Sequence, residues 1–568
     1  MPRVYPRIAI VLAILIILLP LLALAPSSTK AQRNSLDTYA ITNARIVPVS
    51  GPSIPSGTVV IRDGLIAAVG AGVIAPADAR IIDGTGLTIY PGLIDSNTSL
   101  GIPQPSPLPS PSPGAGGGGG FGQFRQQTST TVALNSTQPP GLQPEVLAED
   151  FLRPGGEQIE AARNAGITTA LTAPRQGIWM GQSALINLAG DTAQQMIVRS
   201  PVALHVGFTP LRTGGYPTSL MGVFAALRQM LLDAQRYREA HQAYERSPRG
   251  TRRPDQDRAL AALLPVLDGA MPVVMYADRE REIARAVDLA EEFKLKAIIA
   301  GGLESPKVAD RLRERNVPVL LSLNFPRRTT AALPEADPEP IRVLRERVEA
   351  PRAASKLVAS RAKFAFQSGA MTNIADFSAS LTRAIENGLS REDALRALTI
   401  WPAEIFGVSD RLGTIETGKI ANLTVTRGDL FDRNRTIAHV FIDGRPVDLR
   451  PPPPSGAATA AALATGTWTL NVNLGSGDIA ATLVLQQEGE RLSGSMQGGL
   501  GTGEIANASA GPGGEVRFTL PVTFEGQTGE ATFSGRMTGN EMQGSVTVVG
   551  RTPGTFTGTR ASAPPSAP

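Results

Sequence analysis

The chain has 568 residues, 42% of them hydrophobic and 18% charged, enough for several domains with buried cores. Its 54 basic and 50 acidic side chains leave a net charge of +4, a near balance that gives no support for nucleic-acid binding. Cysteine is absent, which excludes disulfides, thiolate metal sites, a cysteine nucleophile and a lipid-modified N-terminal cysteine.

Arg3 and Arg7 precede an unbroken apolar run, Ile8–Ala25, and Thr29-Lys30-Ala31 places small residues at a cleavage spacing. This pattern predicts an export signal over residues 1–31 and a periplasmic or secreted protein of a bacterial envelope. As a helix the run would span about 27 Å. An uncleaved anchor is therefore the alternative, and the only membrane contact expected. Pro20 and the small-residue exit favour cleavage.

Residues 38–92 read as short strands: Ala40-Ile-Thr-Asn-Ala-Arg-Ile-Val-Pro-Val, Thr58-Val-Val-Ile-Arg-Asp-Gly and Leu65-Ile-Ala-Ala-Val-Gly carry β-branched residues with Gly or Asp-Gly breaks. The style returns over residues 408–450, in Gly418-Lys-Ile-Ala-Asn-Leu-Thr-Val-Thr and His439-Val-Phe-Ile-Asp-Gly. Neither part is large enough for its own core, so the two are expected to combine as one discontinuous small β-sandwich domain. Between them, residues 93–407 alternate strand-like and helix-like stretches, the pattern of parallel α/β units. Buried-strand candidates are Gly166-Ile-Thr-Thr-Ala-Leu-Thr, Pro201-Val-Ala-Leu-His-Val, Pro272-Val-Val-Met-Tyr-Ala, Ala297-Ile-Ile-Ala-Gly, Val317-Pro-Val-Leu-Leu-Ser and Lys363-Phe-Ala-Phe-Gln-Ser. Helices fit 156–164, 219–246, 279–293, 305–315 and 376–388, and Ser390 caps a further one.

A Pro/Ser-rich and then Gly-rich stretch, Pro103–Gly122, reads as a mobile loop, and residues 451–464 as a Pro/Ala-rich linker. Residues 465–560 are Gly/Thr-rich with alternating strands and a weak repeat: Leu492-Ser-Gly-Ser-Met, Phe533-Ser-Gly-Arg-Met and Met542-Gln-Gly-Ser-Val. They predict an antiparallel meander closing into a C-terminal β-barrel or sandwich. A disordered tail is expected over 561–568.

The stretch Pro91-Gly-Leu-Ile-Asp-Ser-Asn-Thr-Ser-Leu-Gly resembles the amidohydrolase superfamily, especially its imidazolonepropionase-like exported branch. Val59-Val-Ile-Arg-Asp-Gly-Leu-Ile-Ala-Ala-Val-Gly, Ile82-Asp-Gly-Thr-Gly, Gly166-Ile-Thr-Thr and Gly407-Val-Ser-Asp-Arg-Leu-Gly-Thr-Ile-Glu-Thr-Gly-Lys-Ile-Ala-Asn-Leu extend the resemblance over residues 38–450. It implies a distorted TIM (β/α)8 barrel with its site at the C-terminal strand ends. It also implies hydrolysis of non-peptide or peptide-like C–N bonds by water on zinc or another divalent metal.

In the family that metal is held by His-x-His after strand one, often a carboxylated Lys or a Glu on strand four, one His each on strands five and six, and an Asp on strand eight. The matching positions here are Asn97, Ser99, Tyr276, Leu303 and Gly369, and the whole chain has three histidines, His205, His241 and His439. A four-His site is arithmetically impossible, so no metal and no cofactor is expected. Candidates for binding a polar ligand are Arg175, Gln176, Trp179 and Gln182, on a loop expected to follow a barrel strand at the functional face, together with His205, Tyr276 and Asp278. The expectation is a non-catalytic binding or scaffold relative. Its partner would be a small polar or peptide-like ligand, a second copy, or an active amidohydrolase paralogue. The alternative is an active hydrolase of cyclic amides or peptide-like substrates with a rebuilt or metal-independent site.

Overall fold

The structure is a computed structural model. It describes residues 38–103, 132–133, 136–211, 216–326, 340–369, 371, 374–432, 434–449, 464–474, 478–488, 491–499, 501–510, 514–524, 527–548 and 554–560. The export signal, all but Pro103 of the Pro/Gly-rich loop, the linker up to residue 463 and the tail lie outside the described residues.

Two Asp-Gly pairs set the turns of the N-terminal sheet. Asp63 and Gly64 have φ of 53° and 79°, and Asp443 and Gly444 have 52° and 72°. Positive φ at both central residues is the hairpin geometry that Asp-Gly favours. The two turns press together: a Cβ on Gly444 would lie 2.6 Å from the Gly64 Cα. The hairpin strands Ile54–Arg62 and Leu65–Gly70 extend from Tyr39–Ile46, which pairs in parallel with Leu87–Pro91. Leu87–Pro91 in turn pairs antiparallel with Leu423–Arg427, so chain segments more than 330 residues apart share one sheet. The pairing makes a single eight-stranded sheet where two facing sheets were expected. It curls until Ile66 N donates to Lys419 O at 2.8 Å, enclosing Ile41, Ile61, Ile89, Leu423 and Phe441.

Eight strands then form the barrel wall in chain order: Leu93–Thr98, Ile167–Thr172, Trp179–Gln182 continued as Ala184–Asn187, Leu204–Val206, Val273–Ala277, Ala297–Gly301, Val319–Ser322 and Phe364–Gln367. All run parallel except the third, which is antiparallel to both neighbours. Its inner face and those of the others meet in an apolar plug of Ile94, Leu171, Leu185, Val274, Ile298 and Leu320. Phe406, Val408 and Leu412 belong to the same cluster and extend it from the segment after the last strand. Outside the strands pack amphipathic helices, among them Leu220–Arg246, Glu280–Phe293 and Ile374–Glu386. Their caps follow the sequence: Ser219 accepts from Gly222 N and Ser390 from Asp393 N. Helix Arg258–Leu267, with Pro265 inside it, was not anticipated.

Asp95 ties the barrel shut between its first and last strands. Its Oδ1 accepts from Ser368 N at 2.9 Å and its Oδ2 from Ser368 Oγ at 2.5 Å, while Gly369 N donates to Asn97 O at 3.1 Å.

The C-terminal region is an antiparallel meander from Gly466–Asn473 to Gly554–Arg560, and the last strand pairs back onto the first, Trp468 opposite Arg560. Alternate side chains fill its interior, with Phe518 and Phe533 stacked at 4.8 Å. The repeated glycines let strands close up. A Cβ on Gly544 would lie 2.2 Å from Ser534 O and 2.8 Å from the Phe556 ring, which covers that spot instead.

Candidate ligand site at the barrel mouth

The register of strand one is irregular between Asp95 and Thr98, and both Asp95 and Asn97 are buried there, Asp95 against Ser368 and Asn97 against Gln367 and Tyr276. Asn97 is fully buried and stands at the centre of a continuous hydrogen-bonded chain. Gln367 Nε2 donates to Leu320 O at 2.5 Å, and Asn97 Nδ2 donates to Gln367 Oε1 at 2.5 Å. Tyr276 OH donates to Asn97 Oδ1 at 3.0 Å, and His205 Nδ1 lies 3.1 Å from the same hydroxyl.

The anchor fixes the direction of every link. A carbonyl oxygen cannot donate, so Gln367 must present its amide NH2 to Leu320 and its oxygen to Asn97. Asn97 then presents NH2 to Gln367 and oxygen to Tyr276. The single hydroxyl proton of Tyr276 goes to Asn97, which leaves His205 Nδ1 as the donor to Tyr276. The bare lone pair of His205 is therefore on Nε2, which is buried without a partner.

Electrostatics keep this chain neutral. Burial, helped by the positive charge of Arg175, lowers the pKa of His205 from 6.5 to about 3. Burial raises the Tyr276 phenol above its ordinary value. Asp95 is also raised by burial, against the opposing hydrogen bonds from Ser368 and Asn97.

Arg175 enters from the loop after strand two. Its Nη2 donates to Asn97 O at 3.3 Å, and its Cζ lies 5.9 Å from the Tyr276 ring centroid, within cation–π range. Its Nε is buried without a partner, and among the described residues no carboxylate pairs with it. Arg175 and Tyr276 open onto a cavity of about 630 Å³, walled by Met180, Phe208 and Leu220 and rimmed by Asp278. Burial of the Asp278 carboxyl raises its pKa, and the neighbouring Glu282 adds to the effect while the Leu303 amide opposes it.

The structure thus brings together Asn97, Tyr276, His205 and Arg175, with Asp278 and Gly369 lining the same cavity. Ser99 lies just past strand one in a turn, its carbonyl accepting from Ile102 N. Leu303 lines a different cavity, with Lys307, Arg342 and Glu346. Gln176 is half-buried in the Arg175 loop. Two expectations are corrected. Trp179 and Gln182 are not on a ligand-facing loop but in the antiparallel third strand, where both are buried and Gln182 Nε2 donates to Pro144 O at 3.0 Å. Gln367 was missed, although a lone Gln ending a strand after the apolar run Phe364–Phe366 is a visible signal of a buried polar contact. His241 sits on helix Leu220–Arg246 beside Tyr237, and His439 in the N-terminal sheet, so neither joins His205.

The amidohydrolase family model matches residues 338–447. An amidohydrolase from Thermotoga maritima MSB8 is 25% identical, with a TM-score of 0.60 over 72% of this chain and 100% of that one. A prolidase complexed with N-methylphosphonate-L-proline is 17% identical, with a TM-score of 0.44 over 73% and 100% of the two chains. No curated protein matches.

Proposed function

This chain belongs to the amidohydrolase superfamily, and on that premise we propose that it is an exported binding protein whose barrel mouth takes a small polar ligand and carries out no metal-dependent hydrolysis. The observation that carries the reading is the His205–Tyr276–Asn97–Gln367 chain, which occupies the positions that match the family's ligands on strands one and five. A catalytic zinc needs three protein donors with free lone pairs converging on one point. Here the Asn97 amide is committed to Gln367 through Nδ2 and to the Tyr276 hydroxyl through Oδ1, and the Gly369 position offers no side chain. His205 Nε2 is a single free nitrogen, and the Arg175 guanidinium adjoining Asn97 would repel a cation. Among the described residues no group of three or more His, Asp or Glu side chains is placed to hold a metal. The residues present do not fit the family's metal. Support for export is the basic and then apolar segment at residues 3–25.

In this reading the chain of donors holds the mouth rigid and uncharged, and Arg175 presents its remaining N–H groups to the cavity. The test is turnover of N-acyl amino acids, dipeptides and cyclic amides with zinc or manganese added. Rates at the uncatalysed background are expected; chelator-sensitive turnover would sink the reading. A second reading rests on Asp278, whose raised pKa at the cavity rim suits a metal-free general acid. It requires turnover that resists chelators and is lost in Asp278→Asn.

A further inference from the structure

The barrel-mouth cavity contains a cation that the described residues leave incompletely served. Arg175 has five N–H donors, and among the described residues it makes one hydrogen bond, at 3.3 Å to Asn97 O. The charge of Arg175 acts on the buried Asp95 carboxyl, yet the hydrogen bonds Asp95 accepts come from Ser368 and Asn97. The acids on the cavity rim are otherwise engaged: Glu282 Oε2 accepts from the Asp278 and Arg279 amides, and Asp278 from the Leu303 amide. A buried guanidinium nitrogen without an acceptor costs free energy, and an oxyanion in the cavity would supply one.

The rest of the wall describes the remainder of the ligand. Phe208 is stacked on Phe224 with ring centroids 4.9 Å apart, which holds its face in place, and Met180 and Leu220 extend the apolar surface beside it. About 630 Å³ is far more than an inorganic anion needs and falls within the range of small-molecule sites.

We propose that this cavity binds a small organic carboxylate, with the Arg175 guanidinium pairing the carboxylate and Met180, Phe208 and Leu220 packing its apolar body. The assignment rests on the metal-free reading of the site given above.

Calorimetric titration of the purified protein with hexanoate, in the presence of a chelator, tests it. Hexanoate should bind about tenfold or more tighter than the neutral hexanamide, and Arg175→Gln should remove that preference while leaving hexanamide unchanged. Leu220→Ser, at a position 38% exposed, should weaken hexanoate severalfold and leave acetate unchanged, and this variant decides the matter should Arg175→Gln fail to fold. Equal binding of hexanoate and hexanamide, or hexanoate binding indifferent to both substitutions, would overturn the proposal. So would sulfate displacing hexanoate at equal affinity, which would make this an inorganic oxyanion site. Hexanoate binding that appears only without chelator would instead overturn the metal-free reading.

Discussion

Replacing Asn97 with alanine is expected to destabilise the barrel by about 2–5 kcal/mol. The side chain is fully buried and makes two hydrogen bonds in opposite senses, one to Gln367 Oε1 and one from Tyr276 OH. Truncation leaves the Gln367 acceptor and the Tyr276 donor without this partner in the barrel interior, and each such group costs roughly 1–3 kcal/mol. Asn97→Asp should fare no better, because it sets a carboxylate oxygen against Gln367 Oε1. Ser99→Ala, past the end of the strand, is expected to stay within about 0.5 kcal/mol of the parent. Because the chain has more than one core, a local readout is the appropriate one. Hydrogen exchange of peptides covering 93–98 and 364–369 should accelerate in Asn97→Ala and not in Ser99→Ala. Equal protection in both would show that the hydrogen-bonded chain does not hold the barrel mouth.

Acid should weaken the barrel through His205. Its pKa is about 3 in the folded protein against an ordinary 6.5. A lowered folded value means that the unfolded chain binds the proton first, so the contribution is complete above about pH 6.5 and lost as pH falls toward 3. Between pH 6.5 and 4.5 the loss is about 2 kcal/mol. Asp95 and Asp278 act in the opposite sense. Their raised values give stability that is complete below the ordinary carboxylate pKa and lost as pH rises through the folded one. Comparison with His205→Gln subtracts both carboxylates. In urea titrations at the two pH values, the variant should lose about 2 kcal/mol less than the parent on acidification. Parallel losses would mean that His205 takes up its proton as readily in the folded protein as in the unfolded chain, and the bare lone pair assigned to Nε2 would be wrong.

The parts of this molecule legible in the sequence are those encoded locally. The Asp-Gly pairs at 63–64 and 443–444 announced their hairpins because only certain residues tolerate positive φ at both central positions. Apolar runs such as Val273–Ala277 and Phe364–Gln367 announced parallel barrel strands because they are buried on both faces. The third strand escaped notice. It consists of two four-residue pieces broken at Ser183, and its antiparallel direction is set by its neighbours rather than by its own residues. That error put Trp179 and Gln182 on a loop. The site was half visible: the sequence marked Asn97, Tyr276, His205 and Arg175, but not that the first three join one chain through Gln367, 270 residues from Asn97. Such a partner is invisible to any local pattern.

Metal content of the purified protein, expressed with zinc and manganese present and measured by inductively coupled plasma mass spectrometry, tests the central claim most directly. The donor chain at Asn97 and the adjoining Arg175 predict only background metal, unchanged in His205→Ala. Near-stoichiometric metal that is lost in His205→Ala would contradict the account and restore a rebuilt hydrolase centre at the barrel mouth.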